Sequence, residues 1–244
     1  MLAVVLAGLF ATFAVAPTAT PQATPAAAPP AQSRPLREVV YDISYEARST
    51  TSNVEYGGIS SGTRATGDHG TVKVDIMAIQ NNMLGIEVTE TMYKGGGPFS
   101  FNGVVAPNGE ATFPAQSISA PTRELVQYFA TALIPADKTD VGTTWTSNWT
   151  AKVSGRDADI SNQYTVTKID GELMTVHAVR TTKVHAFGGN AHTDGTLVLK
   201  PALLVPIIGD IRETVDDIGG NAGSKMDITI HFQRLSDTRD APAK

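Results

Sequence analysis

Few residues in this sequence have the type and spacing that chemistry needs. "GISSG" at residues 58–62 carries the G-x-S-x-G pattern of a serine-hydrolase elbow, with Ser60 as the nucleophile. That chemistry requires Ser60 on a strained turn between a strand and a helix, where a helix start can help hold the oxyanion. The residues that follow, "TRATGDHG", have no helical pattern, so the segment reads as an inserted polar loop. The five histidines are His69, His177, His185, His192 and His231. None has H-x₃-H or H-E-x-x-H spacing; His177, His185 and His192 could make a metal site only by converging in space. With no cysteine, thiolate metal sites, disulfides and a cysteine nucleophile are excluded, and no cofactor is expected. Asp216-Asp217 are adjacent, so on a strand they would point to opposite faces and could not share acid–base work. "KGGGP" at 94–98 lacks the strand-to-helix setting of a phosphate loop and reads as a wide turn. Asn148-Trp149-Thr150 is a glycosylation sequon in form, inside a predicted strand. These readings together point away from an enzyme.

The aromatic residues are better placed. Tyr41 and Tyr45 share one face of a predicted strand, and Trp145 and Trp149 share one face of another. Four aromatics at matching places could line a pocket for an apolar or sugar-like ligand. Much more often such residues are core, each burying about 150–250 Å².

The elements that must position them are mostly strands. Val72, Val74 and Ile76 alternate with polar residues, as do Leu84, Ile86 and Val88 beyond "QNN". Met226, Ile228, Ile230 and Phe232 do the same near the end of the chain. This period of two is that of strands with one buried face. One segment has helical spacing: Leu125, Val126, Phe129, Ala132 and Leu133 predict a helix at about 121–133. Ser119 would cap it, Pro121 would sit in its first turn, Glu124 would lie near its positive end and Pro135 would stop it. "ALLVPII" at 202–208 does not alternate, so it is buried on both sides, faces an apolar cavity or forms a partner surface.

The strands also repeat. Shifted by 90, Ile79 falls on Ile169, Leu84 on Met174, Ile86 on Val176, Val88 on Ala178 and Glu87 on His177. "YDISYEAR" at 41–48 matches "WTSNWTAK" at 145–152 at a shift of 104, and Asn102-Gly103 matches Asp194-Gly195 at a shift of 92. The matching puts His177 on a polar face. It predicts pseudo-repeats at 38–114 and 142–208, with extra residues between the first two strands of the first. The expected fold is mainly β: a strongly curved antiparallel sheet, half-barrel or barrel-like, built from two similar halves with one short helix. A β-sandwich is the competing architecture.

The ends of the chain bear on location. Residues 1–16 hold no charged side chain and are too short for a comfortable bilayer crossing. They read as a signal peptide or an N-terminal anchor. Residues 17–35, rich in Pro, Ala and Thr, read as an extended spacer. Residues 36–236 then form one β-rich domain, with 237–244 as a disordered tail. The net charge of −5 has no Lys/Arg cluster to offset it, which argues against a nucleic-acid partner.

An apolar start, a Pro/Ala/Thr spacer, two β-repeats, "TDGTLVLKP" and a closing "KMDITIHFQRL" resemble bacterial exported envelope proteins of unknown function with a curved sheet of the lipoprotein-carrier type. The resemblance implies a periplasmic, cell-envelope or secreted location and binding of an apolar molecule or lipid. The expectation is a non-enzymatic envelope protein holding a hydrophobic or amphipathic ligand, with Tyr41, Tyr45, Trp145 and Trp149 as ligand-binding residues. The alternative is a structural or interaction module displayed at the envelope to a protein partner.

Overall fold

A computed structural model describes residues 35–55, 58–81, 83–113, 119–129, 140–153, 156–185, 189–200, 205–216 and 223–239. The apolar start and nearly all of the spacer lie outside these residues. Eleven strands and one helix follow in the order β1 (Arg37–Glu55), β2 (Gly58–Gln80), β3 (Met83–Met92), β4 (Gly96–Val105), β5 (Ala111–Thr112), α1 (Ala120–Gln127), β6 (Thr144–Val153), β7 (Arg156–Asp170), β8 (Leu173–Val184), β9 (Asn190–Leu199), β10 (Pro206–Asp216) and β11 (Lys225–Asp237). All belong to one antiparallel sheet of order β5-β4-β3-β2-β1-β11-β10-β9-β8-β7-β6. This is one open, curved sheet rather than a sandwich. No ladder joins its edge strands β5 and β6, but Ser147 Oγ on β6 donates to Asn108 O in the β4–β5 turn at 2.9 Å. Gly109 makes that approach possible. Its φ is +93°, and a Cβ there would lie 3.3 Å from Asn162 and 3.6 Å from the Trp149 ring.

The alternation read in the sequence selects the inner face. Tyr41, Ile43, Val72, Val74, Ile86, Val88, Val176, Leu197, Ile211, Ile230 and Phe232 are buried there. Helix α1 closes over them, adding Leu125, Val126 and Phe129. Ser119 caps it, its Oγ accepting from Thr122 N at 3.3 Å, and Pro121 sits in the first turn, as expected. The helix ends at Gln127, shorter than predicted; Ala132, Leu133 and Pro135 lie outside the described residues. Glu124 lies beyond the first turn and faces a buried cation, so its role is not the dipole contact expected of it.

Other expectations are corrected. The described extra residues of the first half do not form the expected loop: they lengthen β1 and β2, which stay paired out to Glu55 and Gly58, with 56–57 outside the described residues. The strand β11 runs through Asp237, which is buried against Arg37 and Arg234, so the domain extends past 236. Residues 206–208 begin β10, an interior strand, and therefore offer no free edge; residues 202–204 lie outside the described set.

The middle hairpins follow the predicted shift of 90. Ile76 pairs with Ile86 and Val166 with Val176. Each hairpin then carries a bulge at the matching place, between Ile76 and Ala78 and between Val166 and Lys168. Each turns on a matching residue with positive φ, Asn81 at 51° and Gly171 at 60°. The flanking strands differ from the sequence alignment by two residues. Val39 pairs with Val74 while Trp145 pairs with Tyr164, a shift of 106 rather than 104. Ile86 pairs with Gly103 while Val176 pairs with Leu197, a shift of 94 rather than 92. A slip of two keeps every side chain on its face, so alternation alone could not detect it.

Candidate functional site

The inner face of β8 runs Met174, Val176, Ala178 and then, in phase with them, Arg180. Its guanidinium is buried and makes three hydrogen bonds to neighbouring elements. Nη2 donates to Glu124 Oε2 on α1 at 2.5 Å and to Thr193 Oγ1 on β9 at 3.1 Å. Nη1 donates to Gln127 Oε1 on α1. Burial works against this charge, but Glu124 more than offsets it and holds the guanidinium protonated above its ordinary value. The second oxygen of Glu124, Oε1, is buried with no donor at hydrogen-bonding geometry. The Tyr128 hydroxyl also faces that carboxylate; burial first, and Glu124 next, push its ionisation well up.

Glu213 on β10 lies in phase with Gly209, Ile211 and Val215 and completes the group. Desolvation raises its pKa to about 7, Glu124 adds to the rise and Arg180 opposes it. Two carboxyl groups therefore face one guanidinium, and one of them can exchange a proton near neutrality.

This cluster lines a cavity of about 760 Å³ beside α1. Its apolar walls include Trp149, Ile160, Val184, Val215, Met226 and Ile228. Arg123, Lys152 and Arg156 line it too, and all three are exposed, so the cations stand at the mouth and the carboxyls at the floor. Ligand pockets commonly measure about 300–1,000 Å³ and combine apolar walls with a few placed polar groups.

The four aromatics singled out in the sequence do not share one site. Trp149 lines this cavity. Trp145 is half-buried and stacks on Tyr164 with ring centroids 5.3 Å apart. Tyr41 is fully buried, donates from its hydroxyl to Pro206 O at 2.7 Å and packs on Phe129 and Phe232. Tyr45 is half-buried and lines a separate groove of about 750 Å³ with Asp68, His69 and Lys94. The histidines are scattered. His177 pairs with Asp194, His185 with Asp159 and His231 with Asp210, all exposed. Among the described residues no group of three metal-ligating side chains converges. Ser60 lies near the start of β2, paired with Asn53, and the strand runs on to Gln80 with no helix after the motif. Residues 93–95 form a turn, and Asp216 ends β10, with Asp217 outside the described residues. No described helix is long and apolar enough to cross a membrane, which says nothing of crossing by strands.

Arg180 and Glu213 escaped the sequence reading, and Glu124 entered it only as a charge near the helix start. Their signal was present: Arg180 and Glu213 each continue an apolar inner stripe, and a charge in phase with a buried face must find a partner.

No protein family and no curated protein sequence matches this chain. Among solved structures it is similar to a DUF1329 family protein from Desulfovibrio piger, at 9% identity over 83% of this chain and 87% of that one, with a TM-score of 0.23. A likeness of that strength carries no argument about function.

Proposed function

We propose that this is a non-enzymatic, exported envelope protein that binds an amphipathic ligand on the inner side of its curved sheet. The observation that carries the reading is the cavity of about 760 Å³, with apolar walls and a small buried polar floor. Arg180 and one oxygen of Glu124 are spent on holding α1 against β8 and β9, which suits a container better than a catalyst. The apolar start and Pro/Ala/Thr spacer of the sequence support export. The matched bulges and turns of the two middle hairpins support an internal duplication, with the cavity belonging mainly to the second half.

The test is native mass spectrometry of the protein purified from its own cells, with titration of amphiphiles followed by fluorescence. In a Trp145→Phe background Trp149 is the only indole, and it sits in the cavity wall. A co-purifying amphiphile and a saturable change in Trp149 emission are expected. Protein that is ligand-free from its source and unresponsive to every amphiphile overturns the reading.

A further inference from the structure

We propose that the cavity selects amphiphiles whose head is a hydrogen-bond-donating cation, a primary ammonium, seated between Glu213 and the free oxygen of Glu124. The inference rests on the cavity being a ligand site. It follows from what the floor lacks. The Arg180 guanidinium already makes three hydrogen bonds, to Glu124, Gln127 and Thr193, and its charge is matched by Glu124, so it has little left to hold an anionic head. The unmet demand is for donors. Glu124 is 4% exposed and its Oε1 has no donor at hydrogen-bonding geometry, although the Tyr128 hydroxyl bears on the same carboxylate, while desolvation acts first on the Glu213 carboxyl. A buried carboxylate oxygen left unpaired is costly, and a ligand donor removes that cost.

The groups facing Glu213 are Glu124 and Arg180, from α1 and β8, with Tyr128 against Glu124. An ammonium would favour the ionised form of Glu213. Binding should therefore release a proton near pH 6.5 and strengthen as the pH rises. A free long-chain amine and an ethanolamine-headed lipid both present this ammonium.

The experiment titrates the full chain, in the Trp145→Phe background, with dodecylamine, dodecanol and dodecanoate below their micellar concentrations, at pH 5.5 and pH 8. Dodecylamine is expected to bind about tenfold more tightly than the other two at pH 8. That preference should shrink at pH 5.5 and vanish in Glu213→Gln. Calorimetry of the wild-type chain in two buffers of different ionisation enthalpy reads the released proton without any variant of the floor. Dihexanoyl phosphatidylethanolamine and phosphatidylcholine separate the sources. Tight binding of the ethanolamine lipid alone of the two assigns a lipid head, and dodecylamine without either assigns a free amine. Equal binding of all three dodecyl compounds, or preference for dodecanoate, overturns the head-group assignment and leaves the container standing. No binding by any of them overturns both.

Discussion

Glu90 and Arg180 occupy the same place in the two middle hairpins, 90 residues apart, and carry opposite charge. Each follows three inward apolar residues, Leu84, Ile86 and Val88 in one strand and Met174, Val176 and Ala178 in the other. Both are buried and both hold α1. Glu90 takes its start, accepting from Ser119 N at 3.2 Å and from Ser119 Oγ at 2.8 Å. Arg180 takes its middle and end through Glu124 and Gln127. The surroundings differ. Around Glu90 the acceptor is matched by two donors at the helix cap. Around Arg180 a second carboxyl, Glu213, joins the pair, and a cavity opens beside it. One inward polar position can thus cap a helix in one half and line a cavity in the other, according to the neighbours it meets.

The largest way to break this comparison is Arg180→Met. It leaves Glu124 buried without its cation, so urea denaturation should show a loss of about 3–5 kcal/mol. Adding Glu124→Leu should recover most of that loss, because neither charge then remains buried alone. A failure of the double variant to recover would mean that Arg180 acts through packing and not through the pair.

Next comes the pH dependence of Glu213. Between about 4.5 and about 7 the unfolded chain has released this proton and the folded chain still holds it. The stabilisation is complete at low pH and is lost as pH rises through about 7, by about 3 kcal/mol in all. Urea midpoints at pH 5 and pH 8 should therefore differ less in Glu213→Gln than in the wild type. An unchanged difference removes Glu213 as the titrating group.

Glu90→Gln should cost about 1 kcal/mol, since the amide still accepts one bond but loses its charge at the cap. Equal losses for Glu90→Gln and Arg180→Met would erase the contrast between the halves. The smallest effect belongs to the turns. Gly171→Asn copies Asn81 into the second hairpin and should cost only a few tenths of a kcal/mol, because Asn tolerates positive φ better than other side chains. A loss of several kcal/mol there would show that the two turns are not interchangeable.

Much of the fold was legible. The alternation of Val72, Val74 and Ile76, and of Ile228, Ile230 and Phe232, is what burial of one sheet face requires, and those residues are the core. The cap at Ser119 was legible because N-terminal donors need a nearby side-chain oxygen. The register of β1 against β6 was not, since aromatics four apart survive a slip of two. The site was legible only as an anomaly, charges at 180 and 213 in step with apolar stripes.

By itself, then, the sequence determined which faces are buried, where the helix starts and that two hairpins share one pattern, because these depend on neighbours along the chain. Only the tertiary structure decided that Tyr41 is core while Trp149 lines a cavity, and that Arg180, Glu124 and Glu213 meet. Those outcomes depend on where each strand stands in the sheet: β1 lies between β2 and β11, whereas β6 is an edge. They also depend on which charges α1 brings down from outside the sheet.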